Sequence, residues 1–177
     1  MGSFLQTTKR VLKIIWRVFI ALFAFAIVFF LLIQPITRGW VLHHSLLNAL
    51  DHASSVKVVE HSCQWDNPHG IDLNYKEVTY ATVILKQDQI ESLREALPLR
   101  LDYSGMLDLM CIFEEHHYIE ITEQDGSVMT LHICFHCSEI ELNNEYQRIM
   151  PLGWYSSLSR FIISLGLHPN GPWYKKS

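Results

Sequence analysis

The chain has 177 residues, with 18 acidic and 14 basic side chains and a net charge of −4 when histidine is neutral. That length accommodates one membrane segment and one domain of ordinary size. All acidic residues follow the first apolar stretch, whereas Lys9, Arg10, Lys13 and Arg17 precede it. The rest of the chain is therefore acidic, which argues against a nucleic-acid partner, because a phosphate backbone is met by a basic footprint.

Residues 1–8 read as a short polar leader. From Val18 to Ile33 every residue is apolar, and the run extends back to Ile14 if Arg17 is tolerated. A bilayer core of about 30 Å needs about 20 such residues in a helix. Arg17 can snorkel its guanidinium to the head groups. A transmembrane helix is expected over residues 9–34, with membrane lipid as its partner. Four basic residues precede it and Arg38 follows, so the positive-inside rule puts the N-terminus in the cytoplasm. Residues 35–177 then form an extracytoplasmic domain of a single-pass protein of the cell membrane. No small-residue cleavage site follows Ile33, and Ala24-Phe25-Ala26 lies inside the run, so an uncleaved signal anchor is expected. Pro35 predicts a helix end or kink at Gln34, and Trp40 fits an interfacial aromatic.

Leu42, Leu46, Ala49, Leu50 and Ala53 recur at helical spacing and predict a short helix. His43, His44 and His52 fall mostly on its solvent side. Residues 55–63 predict a strand whose alternation changes phase near Val58-Val59, as a bulge there would cause. Asp66-Asn67-Pro68-His69-Gly70 is turn chemistry. Residues 77–85 predict a second strand. Asp88 and Glu91 open a helix with the stripe Ile90, Leu93 and Leu97, and Pro98 stops it. Residues 97–101 and 109–114 predict further strands.

Asp125-Gly126 between residues 116–122 and 127–134 is a strong hairpin signal. A two-residue loop would pair residues whose numbers sum to about 251, which puts His117 opposite Cys134. A three-residue loop puts His116 there instead, since a one-residue slip changes every neighbour. Residues 138–143 alternate as one more strand. Leu158, Phe161, Ile162 and Leu165 mark an amphipathic helix capped by Gly166. The fold class expected is α+β: an antiparallel β-sheet meander covered by two or three helices, preceded by one N-terminal transmembrane helix.

Chemistry-bearing side chains crowd in His132-Ile133-Cys134-Phe135-His136-Cys137. Cys134 and Cys137 form a C-x-x-C knuckle, and zinc takes four ligands from Cys and His. The candidate metal ligands are Cys134, Cys137, His117, His132 and His69. A thiol-redox role competes, but thioredoxin-like pairs sit at a helix N-terminus, and here a strand follows. A structural disulfide suits an oxidising compartment, and four cysteines permit three full pairings. Buried, inert thiols are the fourth reading. Catalytic patterns are weaker: Ser104 lacks a nucleophile-elbow context, no phosphate loop occurs, and Glu114-Glu115 would point to opposite faces of a strand.

The turn Asp66-Asn67-Pro68-His69-Gly70, followed by a strand closing on Cys134-Phe135-His136-Cys137, resembles small uncharacterised bacterial membrane-anchored proteins with a D-P-x-H-like turn and a strand ending in C-F-x-C. The resemblance spans residues 56–143. It implies no activity; it implies that the turn and the thiol pair belong to one site. The function expected is a non-catalytic binding or interaction module, with a protein partner at the membrane surface. Zinc binding through the knuckle is the alternative, and thiol-redox chemistry the third.

Overall fold

A computed structural model describes residues 2–66, 75–99, 112–143, 150–151 and 153–171, without the side chains of residues 2–12, 14 and 30–38. Helix α1 (Gly2–Asp51) is followed by strands β1 (Ala53–His61) and β2 (Thr79–Ile84). Helix α2 (Gln87–Ala96), strands β3 (His117–Glu123), β4 (Val128–Cys134) and β5 (Glu139–Leu142), and helix α3 (Trp154–Ser164) complete the order. The chain divides into two compact units, residues 1–38 and residues 39–177.

Helix α1 does not end at Gln34-Pro35, and residues 42–51, which fall in the second unit, belong to it. A proline forfeits one backbone hydrogen bond without obliging a helix to stop. Apart from Lys13 and Arg17, the side chains described in the first unit are apolar and exposed: Phe25 is 68 % exposed, Trp16 63 % and Phe29 55 %. Among the described residues no helix is long and apolar enough to cross a membrane.

The second unit is α+β, as expected. Its antiparallel five-stranded sheet has the order β2-β1-β3-β4-β5. Val56 and Val58 of β1, Ile119 and Ile121 of β3, Leu131 and Ile133 of β4 and Ile140 of β5 share one face. Leu42, Leu46 and Leu50 of α1, Leu93 of α2, and Trp154, Leu158 and Ile162 of α3 join them in one hydrophobic core. His43 is buried beside that core instead of solvated, and burial lowers its pKa. Trp154 is fully buried, and its indole N–H donates to the Pro98 carbonyl at 2.8 Å, pinning α3 to the end of α2.

Helix α2 is capped by Lys86, whose N–H donates to Gln89 Oε1 at 2.9 Å, and Asp88 sits in the first turn. No bulge occurs at Val58-Val59: both pair in register with Ile119 and Tyr118, and the irregularities fall at Ala53/Ser55 and Glu60/His61. The phase change has another origin. Glu60 continues the inward series of Val56 and Val58, while Val59 is buried on the opposite face. Leu97–Leu99 and Ile112–Glu114 are not strand, and the remaining parts of those two expected strands lie outside the described residues.

The hairpin has a three-residue loop. Glu123 N–H donates to the Ser127 carbonyl at 2.8 Å across Gln124-Asp125-Gly126, and Gly126 takes φ +88°. That left-handed residue supplies the extra position of a G1 bulge. His117 consequently pairs with Ile133, and Tyr118 with His132. The two-residue register is corrected, and continuing the ladder sets His116, not His117, opposite Cys134.

Candidate functional site

The notable polar groups gather where β1, β3 and β4 end together. Glu60, in phase with Val56 and Val58, pairs with His117 across the β1–β3 ladder. Both are buried, at 1 % and 0 % exposure. His117 Nε2 lies 3.6 Å from Glu60 Oε2. Burial lowers the His117 pKa and the Glu60 carboxyl only partly offsets it, so the imidazole is held toward its neutral form.

The other partner of Glu60 comes from beyond α3. Gly166, at φ +80°, closes that helix with a Schellman motif. Its N–H donates to Ile163 O at 2.9 Å, and Leu167 N–H donates to Ile162 O at 3.2 Å. The chain then turns so that the His168 backbone N–H donates to Glu60 Oε2 at 2.7 Å, with His168 Nδ1 3.4 Å from the same oxygen. One buried carboxylate oxygen thus gathers the strand pair and the segment after α3.

Beside this junction lies a pocket of about 190 Å³. Glu114, His116 and His117 line it from the approach to β3, Phe135 and His136 from the β4–β5 turn, and Pro169, Asn170 and Gly171 from the segment after α3. Phe135 is buried and meets the His117 and Tyr155 rings edge-on, with centroids at 5.4 and 5.9 Å.

A second polar set occupies the opposite face. His116 Nε2 lies 2.7 Å from Asp66 Oδ1, and both side chains are 8 % exposed. Asp66 Oδ2 also accepts the Cys63 N–H at 2.8 Å; the rest of the turn expected at Asp66-Asn67-Pro68-His69-Gly70 lies outside the described residues. His132 Nδ1 lies 2.6 Å from Glu115 Oε2. That hydrogen bond raises the His132 pKa against the opposing effect of burial. Burial alone would raise Glu115, but its hydrogen bond and charge contact with His132 bring it below the usual value.

Four of the five residues expected to hold a metal, Cys134, Cys137, His117 and His132, are among the described residues. Cys137 is in a disulfide, while Cys134 and Cys63 are buried free thiols, so Cys134 and Cys137 are not bonded to each other. The Cys137 sulfur lies 2.9 Å from the Ile112 carbonyl; a disulfide sulfur carries no proton, so this is a contact and not a hydrogen bond. Cys134 Sγ accepts the Cys137 N–H at 3.3 Å, and burial raises its pKa. His132 alternates with Cys134 on one face, and His117, paired with Ile133, lies on the other. His69 is outside the described residues. Among the described residues, no group of three His, Cys, Asp or Glu side chains is placed to hold a metal ion.

Glu60 is the residue that sequence reasoning missed. Its signal was present: a carboxylate in step with Val56 and Val58 marks a charge aimed at the core. No family model, curated protein or solved structure matches the chain.

Proposed function

We propose that the chain is a membrane-anchored protein, held by its helix over residues 9–34, whose residues 35–177 form an extracytoplasmic, non-catalytic binding module. The observation that carries the reading is the exposed apolar surface of α1. Ile15, Phe19, Phe23 and Phe29 are 59, 58, 61 and 55 % exposed, and Leu22 and Val28 beside them 63 and 53 %. A helix apolar on all sides needs an apolar surrounding, and lipid provides it. In the sequence the apolar run continues to Ile33, reaching the length a bilayer core requires.

The charge asymmetry about the run supports a cytoplasmic N-terminus. The Cys137 disulfide supports an oxidising compartment for the remainder. Binding is favoured over thiol chemistry because burial holds the free thiols toward their protonated form. Burial pushes Cys63 up to about 11, and Cys134 is raised in the same way. Zinc and redox readings both depend on Cys134 and Cys137 acting together, and the disulfide takes Cys137 out of that pair.

Two measurements test the reading. The full chain should stay in the membrane pellet through alkaline carbonate extraction, and a reporter fused after Ser177 should be active only outside the cytoplasm. Release by carbonate, or cytoplasmic reporter activity, overturns it.

A further inference from the structure

We propose that the pocket at the end of the sheet binds an aliphatic primary ammonium group, an inference that rests on the reading of residues 35–177 as a binding module. Charge is the first argument. Glu114 is the fixed charge among the described lining residues, and no lysine or arginine is among them. Glu60 lies directly behind His117. Beyond the N-terminal apolar run, ten basic residues face 18 acidic ones. A cleft lined by one sign of charge focuses the potential and concentrates the opposite ion.

Hydrogen-bonding capacity is the second. A primary ammonium offers three donors and no acceptor. The pocket offers matching acceptors. Glu114 supplies a carboxylate. Asn170 uses its amide nitrogen toward the Tyr155 hydroxyl at 3.5 Å, which leaves Oδ1 as an acceptor. His136, exposed on the β4–β5 turn, supplies an imidazole nitrogen.

Shape is the third. The Phe135 ring gives methylenes an apolar surface and a nearby cation a π-face. A volume of about 190 Å³ is several times the share of one liquid water, about 30 Å³, and below the roughly 300 Å³ where drug-sized sites begin. It suits the end of an alkylamine. The ligand comes either as a free amine or as a lysine side chain of a peptide, and the chemistry recognised is the same.

The test is NMR of the full chain in lipid nanodiscs, following the Phe135 and His136 resonances. The probes are n-butylammonium and Nα-acetyl-lysine amide, against n-butyrate and tetramethylammonium. Butylammonium should shift both residues saturably. Binding of the lysine amide as well assigns the ligand to a peptide; binding of butylammonium alone assigns it to a free amine. Glu114→Gln should weaken binding about tenfold, equivalent to ~1.4 kcal/mol. Asn170→Ala should weaken it less, and Glu141→Gln on β5 should leave it unchanged. If Glu114→Gln perturbs the fold, Asn170→Ala carries the test alone. Absence of saturable shifts with either amine, or equal binding of butyrate or tetramethylammonium, overturns the proposal. Carbonate extraction is independent of all these outcomes, so failure here leaves the membrane reading standing.

Discussion

Glu60 Oε2 accepts the backbone N–H of His168 at 2.7 Å, joining β1 to the segment that follows the last helix. The same oxygen faces His117 at 3.6 Å. Removing one partner of a buried polar junction leaves the others desolvated and unmet. Glu60→Ala should cost about 3 kcal/mol of stability in chemical denaturation. Glu60→Gln keeps an acceptor for the His168 N–H and should cost less. A Glu60→Ala protein as stable as the parent would show that the junction is not structural.

The position of His168 depends on the cap of α3. A Cβ built on Gly166 meets no atom within 4 Å, so a substitution there is penalised by conformation alone. Gly166→Ala should lower stability by about 1–2 kcal/mol, the penalty of left-handed backbone in a residue with a Cβ. Gly166→Asn should be milder, because asparagine tolerates that region. Thermal melts of the three proteins check the ranking, and equal losses for Ala and Asn would refute it.

Two histidines should give opposite pH responses. The folded pKa of His132 is raised, chiefly by its hydrogen bond to Glu115. Its stabilisation is therefore full below the unfolded value of about 6.5 and is lost as pH rises through the folded pKa. His117 is lowered by burial. Below about 6.5 the unfolded chain takes up a proton that folded His117 resists, so its contribution falls as pH drops. Glu115 is also lowered, so the pair it forms with His132 weakens again as pH falls below about 4.3 through its folded value. Unfolding free energy measured from pH 5 to 8 should fall less with rising pH in His132→Gln than in the parent. His117→Gln should lose less stability on acidification. Parallel profiles in all three proteins would refute both assignments.

The four cysteines should separate by reactivity. In the native state Cys63 and Cys134 are buried thiols, and Cys137 is oxidised. Iodoacetamide at pH 8 should therefore modify neither free thiol until the protein is unfolded. Cys137 should react only after reduction, and peptide mapping should find it in a disulfide that does not involve Cys134 or Cys63. Native alkylation of Cys134, or a Cys134–Cys137 peptide, would contradict the assignment.

Much of the sheet is legible in the sequence because its determinants are local. Alternating apolar residues mark β1, β4 and β5, and the stripe of Leu158, Phe161 and Ile162 with Gly166 marks α3 and its cap. The reading fails where a tertiary partner changes the meaning of a residue. The phase change near Val58-Val59 suggested a bulge, yet Glu60 stays in step with Val58 and points inward, where His168 and His117 meet it. Asp125-Gly126 signalled a hairpin but not whether Gln124 joins the loop, and that one residue exchanges His116 for His117 opposite Cys134. The C-x-x-C spacing suggested a pair, whereas Cys134 is a free thiol and Cys137 is in a disulfide without it. Pro35 suggested a break that α1 does not make. The pocket was illegible altogether, since its walls come from three segments that meet only when Gly166 turns the chain.

The unshared thiol of Cys134 also sets an order of events. It stands three residues from an oxidised neighbour, in a chain whose disulfide supports an oxidising compartment. Before the sheet closes, nothing in the spacing keeps Cys134 from capturing Cys137 through the short intervening loop. Afterwards Cys134 lies with no exposed surface, beyond reach of any oxidant. Correct pairing is thus a race between collapse of β4 into the sheet and oxidation of the chain, and any change that slows that collapse should show up first as a shifted disulfide.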